Sequence, residues 1–148
     1  MTRFAPVALL FAFALPAAAQ DDAAKALKAL EGKYTLVSMT VAGKQMTKAE
    51  KDRESFVIRD GKLIAVSGDG GKEDPLVLKL APPAVDFTEP GKEGGPHMVG
   101  VYKLDGKTLT FCLVESDKPA DRPKDVTATG DRIITMVLEK AAEPKDKK

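Results

Sequence analysis

The chain has 148 residues, with 23 Lys and Arg against 22 Asp and Glu and a formal net charge of +1; this length suits one domain around one core and excludes two. With Arg3 set aside the charges balance and are mixed along the chain, so there is no electrostatic reason to expect nucleic acid or an anionic membrane as partner. Cys112 is the single cysteine, which excludes an intramolecular disulfide and leaves packing to hold the fold.

The first residues have the layout of a cleavable export signal. Arg3 supplies the positive start, Phe4 to Leu15 is an apolar run broken by Pro6, and Pro16-Ala17-Ala18-Ala19 supplies the small residues of a cleavage site. The run is shorter than the roughly 20 apolar residues that cross a bilayer, and no lipobox cysteine follows, so no stable membrane anchor is expected. The division is a signal peptide over 1–19, a domain over 20–140 beginning at Gln20 or Asp21, and a polar tail over 141–148 expected to be disordered.

Ala23, Ala26, Leu27 and Leu30 fall on one helix face, with Asp21-Asp22 at the expected start and Gly32 past the end. Strand periodicity then takes over at Tyr34–Val41. Thr47-Lys48-Ala49-Glu50 reads as a capping box, in which hydroxyl and carboxylate each satisfy a free backbone N–H, and predicts a second short helix to about Arg53. Further strands are expected over Ser55–Arg59, Lys62–Ser67, Leu76–Leu80, Ala84–Thr88, Met98–Leu104, Thr108–Val114 and Ile133–Glu139, most rich in β-branched or aromatic residues.

Asp60-Gly61 and Asp105-Gly106 are read as two-residue type I′ hairpin turns, since glycine takes positive φ freely and Asp tolerates it. Gly68-Asp69-Gly70-Gly71 is a looser connection, and Pro90–Pro96 and Ser116–Asp131 are long polar loops. About eight antiparallel strands joined in chain order hide their edges by closing on themselves. The expected fold class is therefore all-β, an up-and-down antiparallel barrel with one short helix before it and another after its first strand.

Alternation assigns the interior. Leu109, Phe111 and Leu113 oppose Thr108 and Thr110; Leu76, Leu78 and Leu80 oppose Lys79; Phe56 with Ile58, Val85 with Phe87, and Ile134 with Met136 and Leu138 complete the set. Burying each contributes about 1.5 to 3 kcal/mol. A barrel of this size can be filled by its own side chains.

The run Leu30-Glu31-Gly32-Lys33-Tyr34-Thr35-Leu36-Val37-Ser38, with Val41-Ala42-Gly43-Lys44 after it, resembles the opening of a family of exported bacterial lipocalin-like domains of unknown function. Gly100-Val101-Tyr102-Lys103-Leu104-Asp105-Gly106-Lys107-Thr108-Leu109, then Phe111-Cys112-Leu113 and Arg122-Pro123, resembles its second half. The likeness spans Leu30 to Lys140. It implies a lipocalin-like barrel and transfers no activity, because fold does not determine function. Where that family usually carries Trp, this chain has Tyr34, which can plug the barrel floor if its hydroxyl finds a partner.

The residues favour a non-enzymatic cell-envelope binding or structural module, periplasmic or secreted, which meets an envelope protein or polymer through its outer face or loops. The alternative is a carrier of a small apolar molecule inside the barrel, with Phe56, Phe87, Tyr102 and Phe111 as lining aromatics and Tyr34 at the closed end. A hollow of several hundred cubic ångströms would favour the carrier, a filled interior the module. His97 is the only histidine and has no nucleophile or carboxylate motif beside it in sequence, so no catalytic residue is assigned. One His and one Cys cannot furnish a zinc site, Asp69, Glu73 and Asp74 lack calcium-loop spacing, and no phosphate-binding glycine motif is present, so no metal or cofactor is expected. Cys112, on the strand face opposite Phe111, is read as a small buried filler.

Overall fold

In a computed structural model the described residues are 17–46, 54–67, 70–71, 75–91, 95 and 97–142. Nearly all of the proposed signal, the expected second helix over 47–53 and the end of the polar tail lie outside them.

One helix precedes the sheet, α1 (Ala17–Leu30), which begins ahead of Asp21-Asp22 rather than at them. The strands are β1 (Gly32–Val41), β2 (Lys44–Gln45), β3 (Glu54–Arg59), β4 (Lys62–Ser67), β5 (Leu76–Ala81), β6 (Ala84–Thr88), β7 (Met98–Asp105), β8 (Thr108–Glu115) and β9 (Ile133–Lys140). Each expected strand is present within two residues of its expected ends, and β2 is an addition. All neighbours pair antiparallel, and β1 pairs with both β3 and β9, which closes eight strands into a barrel. The two-residue β2 lies outside that ring, paired with the end of β1 on the side that β3 occupies lower down.

The two ends of the barrel differ because their connections differ. At one end the links are tight: Asp60-Gly61, Pro82-Pro83 and Gly106-Lys107 each join paired strands through two residues. Asp60 and Gly61 have φ of 51° and 67°, as a type I′ turn requires. The β7–β8 turn corrects the expectation by one residue. Asp105 still pairs with Thr108, so the loop is Gly106-Lys107, and a positive φ at Gly106 alone has the φ signs of a type II′ turn.

The same end is sealed from inside. Ala26 and Leu27 pack on the core, Leu30 is buried, and Gly32 at φ 149° turns the chain from α1 into β1. Tyr34 lies beneath, and its hydroxyl donates a 2.7 Å hydrogen bond to the Leu30 carbonyl, one of those that a helix C-terminus leaves without an internal partner. The partner that the Tyr34 hydroxyl needed is thus supplied by the helix. Above it Phe87 and Phe111 meet edge to face at 5.4 Å between ring centres, and the inward sets assigned by alternation form one continuous core.

The long connections gather at the other end, the mouth. One of them, residues 116–132, folds back over the outside of β7 and β8 and covers Val99, Val101, Cys112 and Val114, which are buried although they face away from the barrel interior. Arg122 in this segment pairs with Asp86 of β6, tying it down. Cys112 is the filler of this outer layer; its Sγ lies 3.7 Å from the Ala128 carbonyl oxygen.

Candidate functional site

Among the described residues the strands build one concavity inside the barrel and others on its outer surface. The interior one is a cavity of about 150 Å³ at the mouth. All eight barrel strands contribute to it, among them Met39 from β1, Phe56 from β3, Phe87 from β6, Met98 from β7 and Met136 from β9. The remaining wall is Leu63, Ala65, Leu76, Leu113 and Ile134, so every lining side chain among the described residues is apolar. Gly100 faces the interior beside this wall, where its missing side chain leaves room for Leu113.

Of the five residues expected to line a ligand site, the structure brings Phe56 and Phe87 to this cavity. Phe111 stacks behind Phe87 and is fully buried, Tyr102 is half-buried 6.5 Å from the Phe111 ring centre, and Tyr34 sits at the sealed floor. Burial raises the hydroxyl pKa of both Tyr34 and Tyr102 above the ordinary tyrosine value.

Alternation assigns Met136 to the interior, as found, but misses Met39 for a specific reason. Strict alternation from Tyr34 and Leu36 would turn Ser38 inward and Met39 outward. The β1–β9 register slips between Leu36 and Ser38, an extra residue on β1 that inverts the parity and brings Met39 inside opposite Met136. No local signal marks that bulge. Met98 could have been found by extending the alternation of its partner strand.

One outer concavity is a groove of about 480 Å³ across the outward faces of β1, β3 and β4. Val57, Ile64 and Val66 form its apolar floor, and Thr35 and Ser55 its sides. Val37, 46% exposed, continues the apolar strip along β1. Lys33 and Arg59 stand in its wall, and the adjoining groove adds Lys140 together with Glu31, whose carboxylate accepts from the Asp60 amide at 3.4 Å. None of these three cations has an ion-pair partner among the described residues.

His97 is exposed just before β7, with its amide donating to the Phe87 carbonyl and Nδ1 3.9 Å from the Glu89 carboxylate. No three His, Cys, Asp or Glu side chains converge as a metal site among the described residues, and no described helix is long and apolar enough to cross a membrane. Burial raises the pKa of the Cys112 thiol, opposed in smaller measure by a hydrogen bond with Thr135, so on balance the nucleophilic thiolate is disfavoured. No family model, curated protein or solved structure matches the chain.

Proposed function

We propose that this protein is an exported, non-enzymatic binding module of the lipocalin-like family, and that its contact surface is the outer face of β1, β3 and β4. The observation that carries the reading is the apolar groove with Lys33, Arg59 and Lys140 at one end, none of them ion-paired among the described residues. Outward strand positions on a solvated sheet are normally polar, so Val57, Ile64 and Val66 side by side, with Val37 exposed further along β1, call for a covering partner. Lys33, Arg59 and Lys140 select one that ends in carboxylate. The occupant is a segment of an envelope protein that lays apolar side chains along the strip and an acidic residue among the cations. Family membership and export rest on the likeness of sequence described above, with which the closed barrel is compatible.

The test is cross-linking in the native cell envelope from a photoreactive residue at position 64, with position 79 on the outward face of β5 as reference. A protein adduct from 64 alone, lost in Lys33→Glu/Arg59→Glu, is expected. Equal adducts from both positions, no adduct, or adducts only to polysaccharide would overturn the reading. Export is checked on the same sample by intact mass, which should place the N-terminus at Gln20 or Asp21. Carriage of a small apolar molecule in the barrel is the second reading, supported by Phe56 and Phe87 in the cavity wall. A volume of about 150 Å³ admits little more than one six-membered ring. Native mass spectrometry of the protein from its own envelope would display such a passenger as a dissociable adduct.

A further inference from the structure

The chain has five methionines, and all but Met1 gather at one end of the barrel. Met39, Met98 and Met136 line the mouth cavity together. Met46 packs against the same core, and its amide donates to the Met39 carbonyl. Met39 and Met136 are direct cross-strand partners on the inner face, which sets their Cβ atoms about 5 Å apart. Met98 comes from two strands further round the wall and faces the same space.

Filling a barrel does not require this. Leu and Ile define a core more rigidly, whereas methionine brings a flexible chain and a polarizable sulfur. Those sulfurs matter because of what the cavity lacks: among the described residues its wall has no side-chain nitrogen or oxygen. Backbone groups of β1 and β9 and of β7 and β8 are engaged in ladders, whereas β4 and β5 pair only at Lys62 and Leu63, so some main chain is left to face the mouth. Among the described residues, the lone pairs that side chains offer to an occupant are those of the thioethers. Among the described residues no carboxylate, amide or hydroxyl side chain is there for a hard cation, and neither imidazole nor thiolate for Zn²⁺. Thioethers hold soft cations.

We propose that the methionine mouth is a binding site for one soft monovalent metal ion, of the Cu(I) or Ag(I) type, held by the sulfurs of Met39, Met98 and Met136. Neutral sulfurs leave the ion's single positive charge uncompensated, which would be costly in a sealed apolar interior. The cavity is at the open end, however, and Glu115 is the direct partner of Met98 in the β7–β8 ladder. Cross-strand partners share a face, so its carboxylate stands on the same side of the sheet, at the rim. The site is independent of the outer groove and does not rest on the docking reading.

The experiment is titration of the full chain with Ag(I), a redox-inert probe, in a Cys112→Ala background that removes the one thiol able to compete. Native mass spectrometry reads the stoichiometry, and NMR of methyl-labelled methionine reads which sulfurs are engaged. One retained Ag(I) per chain is expected, with shifts at the methyls of Met39, Met98 and Met136. The ion should be lost in the Met39→Leu/Met98→Leu/Met136→Leu variant, a near volume-conserving change whose fold is verified by circular dichroism, and kept in His97→Gln. If Cys112→Ala does not fold, the methyl readout on the unaltered chain serves, because a thiol-bound ion leaves those three methyls in place. No retained ion, retention that survives the leucine variant, or shifts confined to other methionines would overturn the assignment. Benzene bound equally by the parent and leucine proteins, with no Ag(I) held, would give the cavity to apolar molecules instead.

Discussion

Removing one oxygen atom tests how the barrel floor is held. Tyr34→Phe keeps the ring, which is 1% exposed, and deletes the hydroxyl that donates to the Leu30 carbonyl at 2.7 Å. The acceptor belongs to a residue that is itself 1% exposed, so water cannot replace the lost donor without opening the floor. A neutral hydrogen bond contributes about 0.5 to 1.5 kcal/mol net, and an orphaned buried carbonyl raises the cost of deletion to about 1 to 3 kcal/mol. We expect a loss of about 2 kcal/mol, or roughly 6 to 10 °C in Tm for a domain of this size. Urea unfolding followed by far-UV circular dichroism measures it, with an unchanged slope against urea showing that the change lies in stability. Tyr102→Phe is the control: that hydroxyl has no hydrogen-bond partner among the described residues, and the expected change is within about 0.5 kcal/mol. If Tyr34→Phe matched the parent protein, or if both variants lost the same amount, α1 and Tyr34 would not seal the floor in the way described.

Gly100→Ala should destabilise by about 2 kcal/mol or more, because its Cβ would stand 2.4 Å from the Cys112 carbonyl oxygen and 2.5 Å from a Leu113 methyl, and strand backbone cannot give way. Gly130→Ala, where the nearest atom would lie at 3.4 Å, should stay within about 0.5 kcal/mol in the same urea assay. Cys112 should react slowly with a thiol reagent in the native protein, and Asp86→Ala, which releases Arg122 and with it the segment over Cys112, should speed the labelling. Stability should decline in alkali, and the sign follows from linkage. Burial raises Cys112, Tyr34 and Tyr102 above their ordinary values of 9.0 and 10.0, so the unfolded chain releases these protons first. Their contribution is complete below about pH 9 and falls as pH rises through the folded values; urea midpoints across that range should fall less steeply in Tyr34→Phe.

What the sequence determined by itself is whatever depends on near neighbours. Side-chain alternation has a period of two residues, and turn residues act over four, so the strand limits and inward sets such as Leu109, Phe111 and Leu113 were legible within two residues. Even the Tyr34 plug was legible as a requirement, though its partner was not. Tertiary structure decided what depends on residues far apart in the chain: closure of β1 on β9, the helix carbonyl above Tyr34, and the segment folded over Cys112. It also decided the candidate sites. The bulge in β1 inverts a parity that local reading would have extended, and so moves Met39 from the outer face to the mouth. The outer groove exists because β1, β3 and β4 are adjacent and bring Val57, Ile64, Lys33 and Arg59 together. A bulge has no fixed composition, and a surface shared by three strands has no single run of residues to announce it, because both arise from pairing register rather than from the residues at one place in the chain.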